Sequence, residues 1–216
     1  MGLLVITMEQ AVIPRKTGRP LSFDRQAALQ QAMLTFWRHG YETTSISDLT
    51  AAMGVTAPSI YTAFGDKKRL FLEAMRLYAG APEDLQASLD SAPTARDAAV
   101  AMLTAAAYAF TGAQTPRGCL LASATASGSR DAVDVQEAVA EVRRDIVARL
   151  TGRIERDIVT GILPETTSAT VLARLVVAVI QGMSVLARDG IDRAILLEMA
   201  GQAMQCWPPS SLEDKR

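Results

Sequence analysis

Apolar residues recur along this chain at intervals of three and four almost throughout, and sustained period-two alternation is hard to find. That spacing lines one face of an α-helix, so the chain is read as all-α, with about nine helices. Leu29, Met33, Phe36 and Tyr41 give the apolar side of a first helix over about 24–39, which Gly40 closes. Two short helices follow. Ser45 caps one, with Asp48 three residues on in a capping-box arrangement, and Ile46, Leu49 and Met53 face inward. Gly54 ends it, Thr56 caps the next, and Pro58 is tolerated in a first turn whose amides have no helical partner. Ile60 and Phe64 are its inward positions, Gly65 breaks it, and Asp66 caps a fourth helix striped by Leu70, Phe71, Ala74 and Leu77.

Gly80, Pro82 and Pro93 then mark a loop. Beyond it come a helix over about 94–111, a shorter one after Pro116, and a long one over 131–160 carried by Val135, Val139, Val142, Ile146, Leu150, Ile154 and Ile158. Helices over about 167–188 and 192–206 complete the pattern, and the polar stretch 208–216 is expected to fray. The segment 171–187 is the most membrane-like, but it holds Arg174, Gln181 and Ser184 and falls short of the roughly 20 apolar residues a bilayer needs. It is read as a buried helix, and no membrane partner is expected.

Composition changes this picture only when it is resolved along the chain. The 216 residues are 49% hydrophobic, enough for a globular core, and a formal net charge of −1 argues at first against nucleic acid. Residues 1–80, however, sum to +3 and residues 81–216 to −4. A basic head precedes an acidic body. The organisation expected is a flexible basic leader over 1–17, a head over 18–78, a helical body over 79–207 and a tail over 208–216. Met8 is a second candidate start. Cys119 and Cys206 lie far apart with no secretory signal before them, which favours a reducing, cytoplasmic setting over a disulfide framework. His39 is the single histidine, and neither a Gly-x-Gly-x-x-Gly turn nor a Walker-type loop is present. No catalytic residue, metal or cofactor is therefore expected.

The informative stretch is 45–64: two short helices joined by a glycine-containing turn behind a third, which is a helix-turn-helix pattern. The second helix of such a motif enters the major groove. Its outward positions here are Thr56, Ala57, Pro58, Ser59, Tyr61 and Thr62, small side chains and one phenol suited to close approach to bases. The alternatives are that the short hydroxyls only cap helices and that Tyr61 is half-buried core. Arg15, Lys16 and Arg19 form a basic arm able to reach a minor groove, or a merely solvated leader.

Gly18-Arg19-Pro20, Phe36, Gly40-Tyr41, Thr43-Thr44-Ser45, Gly54-Val55, Ser59-Ile60-Tyr61 and Phe64-Gly65-Asp66-Lys67 together resemble the DNA-binding head of the tetracycline-repressor (TetR) family. The resemblance covers about residues 18–78 and implies a homodimeric regulator of transcription, usually a repressor, on a palindromic double-stranded operator. It implies base contacts from Ala57, Ser59 and Tyr61, and phosphate contacts from Thr44, Ser45 and Lys67. Thr50 departs from the alanine common at that position. For the body the resemblance implies dimerisation and an effector pocket. The last two long helices are the dimer candidates, through Val171, Leu175, Val179 and Gly182, with the core of one monomer as the alternative role. Met102, Tyr108, Phe110, Cys119 and Met183 are the candidate lining for a small organic effector. A transcriptional activator, a helical enzyme and a protein-binding adaptor stay open as other readings.

Overall fold

The computed structural model describes residues 23–123 and 132–211. The leader with Arg15, Lys16 and Arg19, and positions 212–216 of the tail, lie outside the described residues. Those that are described form ten α-helices and no strand. Helix α1 (Arg25–His39), α2 (Ile46–Met53), α3 (Ala57–Phe64) and α4 (Lys67–Ala79) form one end of the molecule. The other end contains α5 (Pro82–Ser91), α6 (Ala95–Phe110), the single turn α7 (Leu120–Ser123), α8 (Val133–Val159), α9 (Ala169–Arg188) and α10 (Arg193–Ala203), closed by a 3-10 turn, Met204–Cys206.

The expected starts and stops hold where cap chemistry is strong. Asp24, Ser45, Thr56, Asp66 and Thr94 each accept a backbone amide from the first turn of the helix they precede. Helix α5 is the departure: its Pro82 reads as a loop signal beside Gly80, yet it occupies the first helical turn, where proline is well accommodated. Glu83 and Asp84 follow at the positive end of the helix dipole, and Leu85 and Leu89, four apart, bury the inner face. That run was the available signal. The tail also departs from expectation, since the Ser211 amide donates to the Ile162 carbonyl at 3.0 Å.

One continuous apolar cluster runs from Ala28 to Trp207. At its α1 end, Phe36 and Phe71 meet edge to face at 5.2 Å and Tyr41 closes on Phe71 at 5.1 Å. Helix α9 is long and apolar enough to cross a membrane by composition. In the fold Ala173, Val176, Met183 and Ala187 bury one face of it, while Val171, Leu175 and Val185 are exposed on the other. It is thus a core helix on one face only, with the dimer candidates Val171 and Leu175 on its uncovered side.

A buried ion pair fastens α8 to the α5–α6 corner. Arg153 pairs with Asp157 one turn on and donates to the carbonyls of Leu89, Ala92 and Pro93, each at 3.1 Å. Asp157 in turn accepts the Ala95 amide at 2.6 Å. The cation therefore meets the carbonyl end of α5 and the anion the amide end of α6, so both dipoles favour the charges they face. Arg153→Met strands a buried carboxylate and is expected to lower unfolding stability by about 3–5 kcal/mol in urea titration. Arg153→Met/Asp157→Leu, which removes both charges, should recover part of that loss.

Candidate nucleic-acid interface

The α2–α3 corner is built by its caps. The Ser45 hydroxyl accepts the Asp48 amide at 3.1 Å, while the Asp48 carboxylate accepts the Ser45 amide at 2.8 Å. Gly54 ends α2 at φ 66°, a left-handed conformation that side chains resist, and the Val55 amide returns to the Thr50 carbonyl at 3.3 Å. The Thr50 hydroxyl donates to Ser47 within its own helix at 2.8 Å, so the missing alanine brings no unsatisfied polar group into the corner.

Helix α3 is clamped from behind. Ile60 and Phe64 are buried, and Arg25 of α1 donates to the Ala63 carbonyl at 3.2 Å and to the Glu73 carboxylate of α4 at 2.7 Å. Its guanidinium also lies 4.3 Å from the Phe64 ring centroid. Arg25 and Glu73 position α3 but were not among the sequence candidates. Arg25 sits just after a cap, where it reads as an ordinary solvated residue.

With its back fixed, α3 turns Pro58, Tyr61 and Thr62 to the exterior, with Ala57 and Ser59 half-exposed beside them. Tyr61 is 50% exposed and so is not a core tyrosine. The Thr56 and Ser59 hydroxyls bond each other at 2.9 Å, and Thr62 donates to the Pro58 carbonyl at 2.8 Å. These short side chains cap and also face outward. No Asp, Glu, Lys, Arg or His occurs from Thr56 to Phe64, leaving charge to the flanks of this surface.

On those flanks the phosphate candidates fare unequally. Ser45 is exposed at the start of α2, where the first-turn amides of Ile46 and Ser47 lack helical partners. Lys67 is partly buried, with its Nζ donating to the Glu42 carbonyl at 3.2 Å and lying 4.6 Å from the Tyr41 ring centroid. Burial pulls its ammonium below the usual lysine range. Thr44 must be corrected: it is fully buried, and its hydroxyl donates to the Gly40 carbonyl at 2.6 Å, so it braces the turn after α1 rather than reaching a phosphate. Arg19 lies outside the described residues.

In the body, Met102, Phe110, Cys119 and Met183 are all buried in the core. Tyr108 must be corrected, because it points outward, 51% exposed, beneath the Arg193 guanidinium at 4.5 Å. The apolar crevice lined by Leu103, Leu172, Val176, Val179, Met204 and Trp207 measures only about 10 Å³, room for a water at most. Of the dimer candidates, Val171, Leu175 and Gly182 are exposed and Val179 is half-buried, all on one side of α9.

Residues 28–74 match the profile of bacterial regulatory proteins of the tetR family, and residues 93–195 that of the tetracyclin repressor-like C-terminal domain. The HTH-type transcriptional repressor ComR of Escherichia coli is 34% identical over 203 residues, 91% of this chain and 94% of that protein. The chain belongs to the TetR family. Within it, a cysteine-substituted variant of the regulator CifR, solved with 26 bp double-strand operator DNA, is 38% identical. It covers 88% of this chain and 100% of its own, with a TM-score of 0.83. A putative TetR regulator from Rhodococcus is 37% identical over 85% of this chain and 99% of its own, with a TM-score of 0.59. As a TetR-family protein, the chain is an all-α, DNA-binding regulator of transcription.

The α2 cap carries a pH signature. Hydrogen bonds from the Ser45 amide and hydroxyl hold the Asp48 carboxyl below its ordinary value of 3.8. A lowered folded-state pKa gives stability that is complete above the ordinary carboxylate range and lost as pH falls through the lowered value. The stability difference between the native chain and Asp48→Ala is therefore expected to be largest near neutral pH. It should shrink as pH falls below the ordinary carboxylate range, read by thermal melting.

Proposed function

We propose that the protein is a transcriptional repressor that binds a palindromic operator as a homodimer and is released by a small organic effector. The observation that carries this reading is the presentation of α3: Ile60 and Phe64 locked inward, Arg25 clamping its end, and Pro58, Tyr61 and Thr62 exposed on the far side. The operator complex of CifR and the repressor role in ComR's name support it. Two α3 helices then enter successive major grooves about 34 Å apart. Ala57, Ser59 and Tyr61 face bases, while Ser45 and Lys67 face phosphates at the edges. The acidic body stays clear of the duplex, and the protein acts in the cytoplasm.

The exposed side of α9, Val171, Leu175 and Gly182 with Val179 at its edge, is the dimer surface in this reading. The effector enters the body among Met102, Phe110, Cys119 and Met183, whose close packing it must open. A ligand that favours the opened state weakens operator binding by its differential affinity for the two states.

Selection of fragments from genomic DNA by the purified protein is expected to return a palindrome. On that site Tyr61→Ala should lower affinity at least about tenfold, or ~1.4 kcal/mol, with dimerisation and melting temperature unchanged. Unaltered affinity would remove α3 from the groove. Deleting residues 1–17 is expected to weaken binding and flatten its salt dependence by about two phosphate contacts, one each for Arg15 and Lys16.

A further inference from the structure

The end of α1 carries an unusual joint. The Trp37 carbonyl falls in the last turn of α1, where no helical amide remains to serve it. It accepts instead from Arg188, 151 residues away at the end of α9, at 2.8 Å. The Trp37 indole Nε1 donates in the other direction, to the Gly118 carbonyl at 2.9 Å, and this bond is buried. Gly118 is itself held on both sides. Its amide donates to the Phe110 carbonyl at 3.0 Å, and the next amide, Cys119, donates to the buried Ser184 hydroxyl at 2.8 Å. A Cβ on Gly118 would lie 2.8 Å from the Arg188 Cγ and Nε and from the Ser184 carbonyl oxygen. The arginine stem therefore rests directly on glycine backbone. Tyr78 of α4 packs edge to face on Trp37 at 4.8 Å and donates to the Cys119 sulfur at 3.3 Å, bringing α4 into the same joint.

We infer that Arg188, seated on Gly118 and bonded to the Trp37 carbonyl, is a positioning residue for operator binding. It sets the angle at which α1, and through Arg25 the recognition helix α3, leaves the body. A movement of α9 relative to the 118–119 backbone then passes to α1 through two directional hydrogen bonds and one close contact. A further polar link between the two ends, Lys68 of α4 to Asp134 of α8, lies at the surface with the Asp134 side chain 71% exposed. Such a pair is screened by salt and loosely oriented, so it follows the angle rather than defining it. Because α9 also carries the proposed dimer surface, the joint ties the reading head to the element that fixes its distance from the second head. The inference rests on the homodimer reading above.

Its test uses the full chain with Cys206→Ser and a nitroxide on Gln26→Cys, an exposed position at the far end of α1 from the joint. The spin–spin distance between the two copies is measured alongside operator affinity. Arg188→Ala and Trp37→Phe, which remove the two bonds separately, are expected to shift or broaden that distance. They should also lower operator affinity about tenfold or more. Arg193→Ala, which removes an arginine from the Thr111 carbonyl within the body, should leave both unchanged. If Arg188→Ala is too unstable to purify, Arg188→Met keeps an apolar stem over Gly118 and removes only the donor to the Trp37 carbonyl. An unmoved distance with full operator affinity overturns the joint, as does an equal shift in Arg193→Ala. Absence of any spin–spin distance in the parent protein overturns the dimer reading instead, so the two failures are distinct.

Discussion

A chain made only of helices must find donors for the carbonyls that every helix leaves open at its C-terminal end. In this protein arginines from other helices supply many of them. Arg25 of α1 serves the end of α3, Arg143 of α8 the carbonyl of Leu121 in α7, and Arg153 of α8 the end of α5. Arg188 of α9 serves the end of α1, and Arg193 of α10 the end of α6. A guanidinium suits this role because it stays charged, offers several donors in a fixed plane, and meets the negative end of the helix dipole. Each bond is also a positional constraint. It fixes where one helix stops relative to the side of another, which apolar packing alone leaves free to slide.

The exposed side of α3 depends on that constraint. Helix α3 has eight residues, too few to be stable alone, and it contributes Ile60 and Phe64 to the shared core. Arg25 adds directional bonds at its far end, and the Ser45 and Thr56 caps fix its near approach through α2. Rigidity behind the helix lets its outer side carry small, weakly committed groups. Exposed proline, tyrosine and threonine would be an unremarkable surface on a mobile segment. On a fixed one they present a defined shape.

The acidic body has a different economy. Its side chains Met102, Phe110, Cys119 and Met183 are buried in the core, where the two methionines, unbranched and adaptable, fill irregular space. Coupling between body and head needs no long pathway in this architecture. Gly118 and Cys119 lie against α9 on one side and reach Trp37 and Tyr78 on the other, so the core of the body and the end of α1 share a single stretch of backbone.

The helix boundaries that were legible in the sequence are those written in local chemistry: Asp24, Ser45, Thr56 and Asp66 as caps, and Gly54 as a left-handed stop. The outward residues of α3 were legible too, because the 3.6-residue period places Ile60 and Phe64 opposite Tyr61 and Thr62. Helix α5 was missed because Gly80 and Pro82 are loop signals in sequence, and only the burial of Leu85 and Leu89 shows which meaning applies. Thr44 and Tyr108 were misplaced for one reason: the period of a helix assigns a face but not what lies across from it. A hydroxyl four residues from an open carbonyl, or a phenol under an arginine from α10, takes its role from a partner. Sequence by itself thus determined every helix of the helix-turn-helix, the residues it presents and most of the remaining elements, since these depend on contacts within a few positions. Only the tertiary structure decided which arginine closes which helix, and therefore how the head is held on the body, because those partners lie up to 151 residues apart and meet only when the chain is folded.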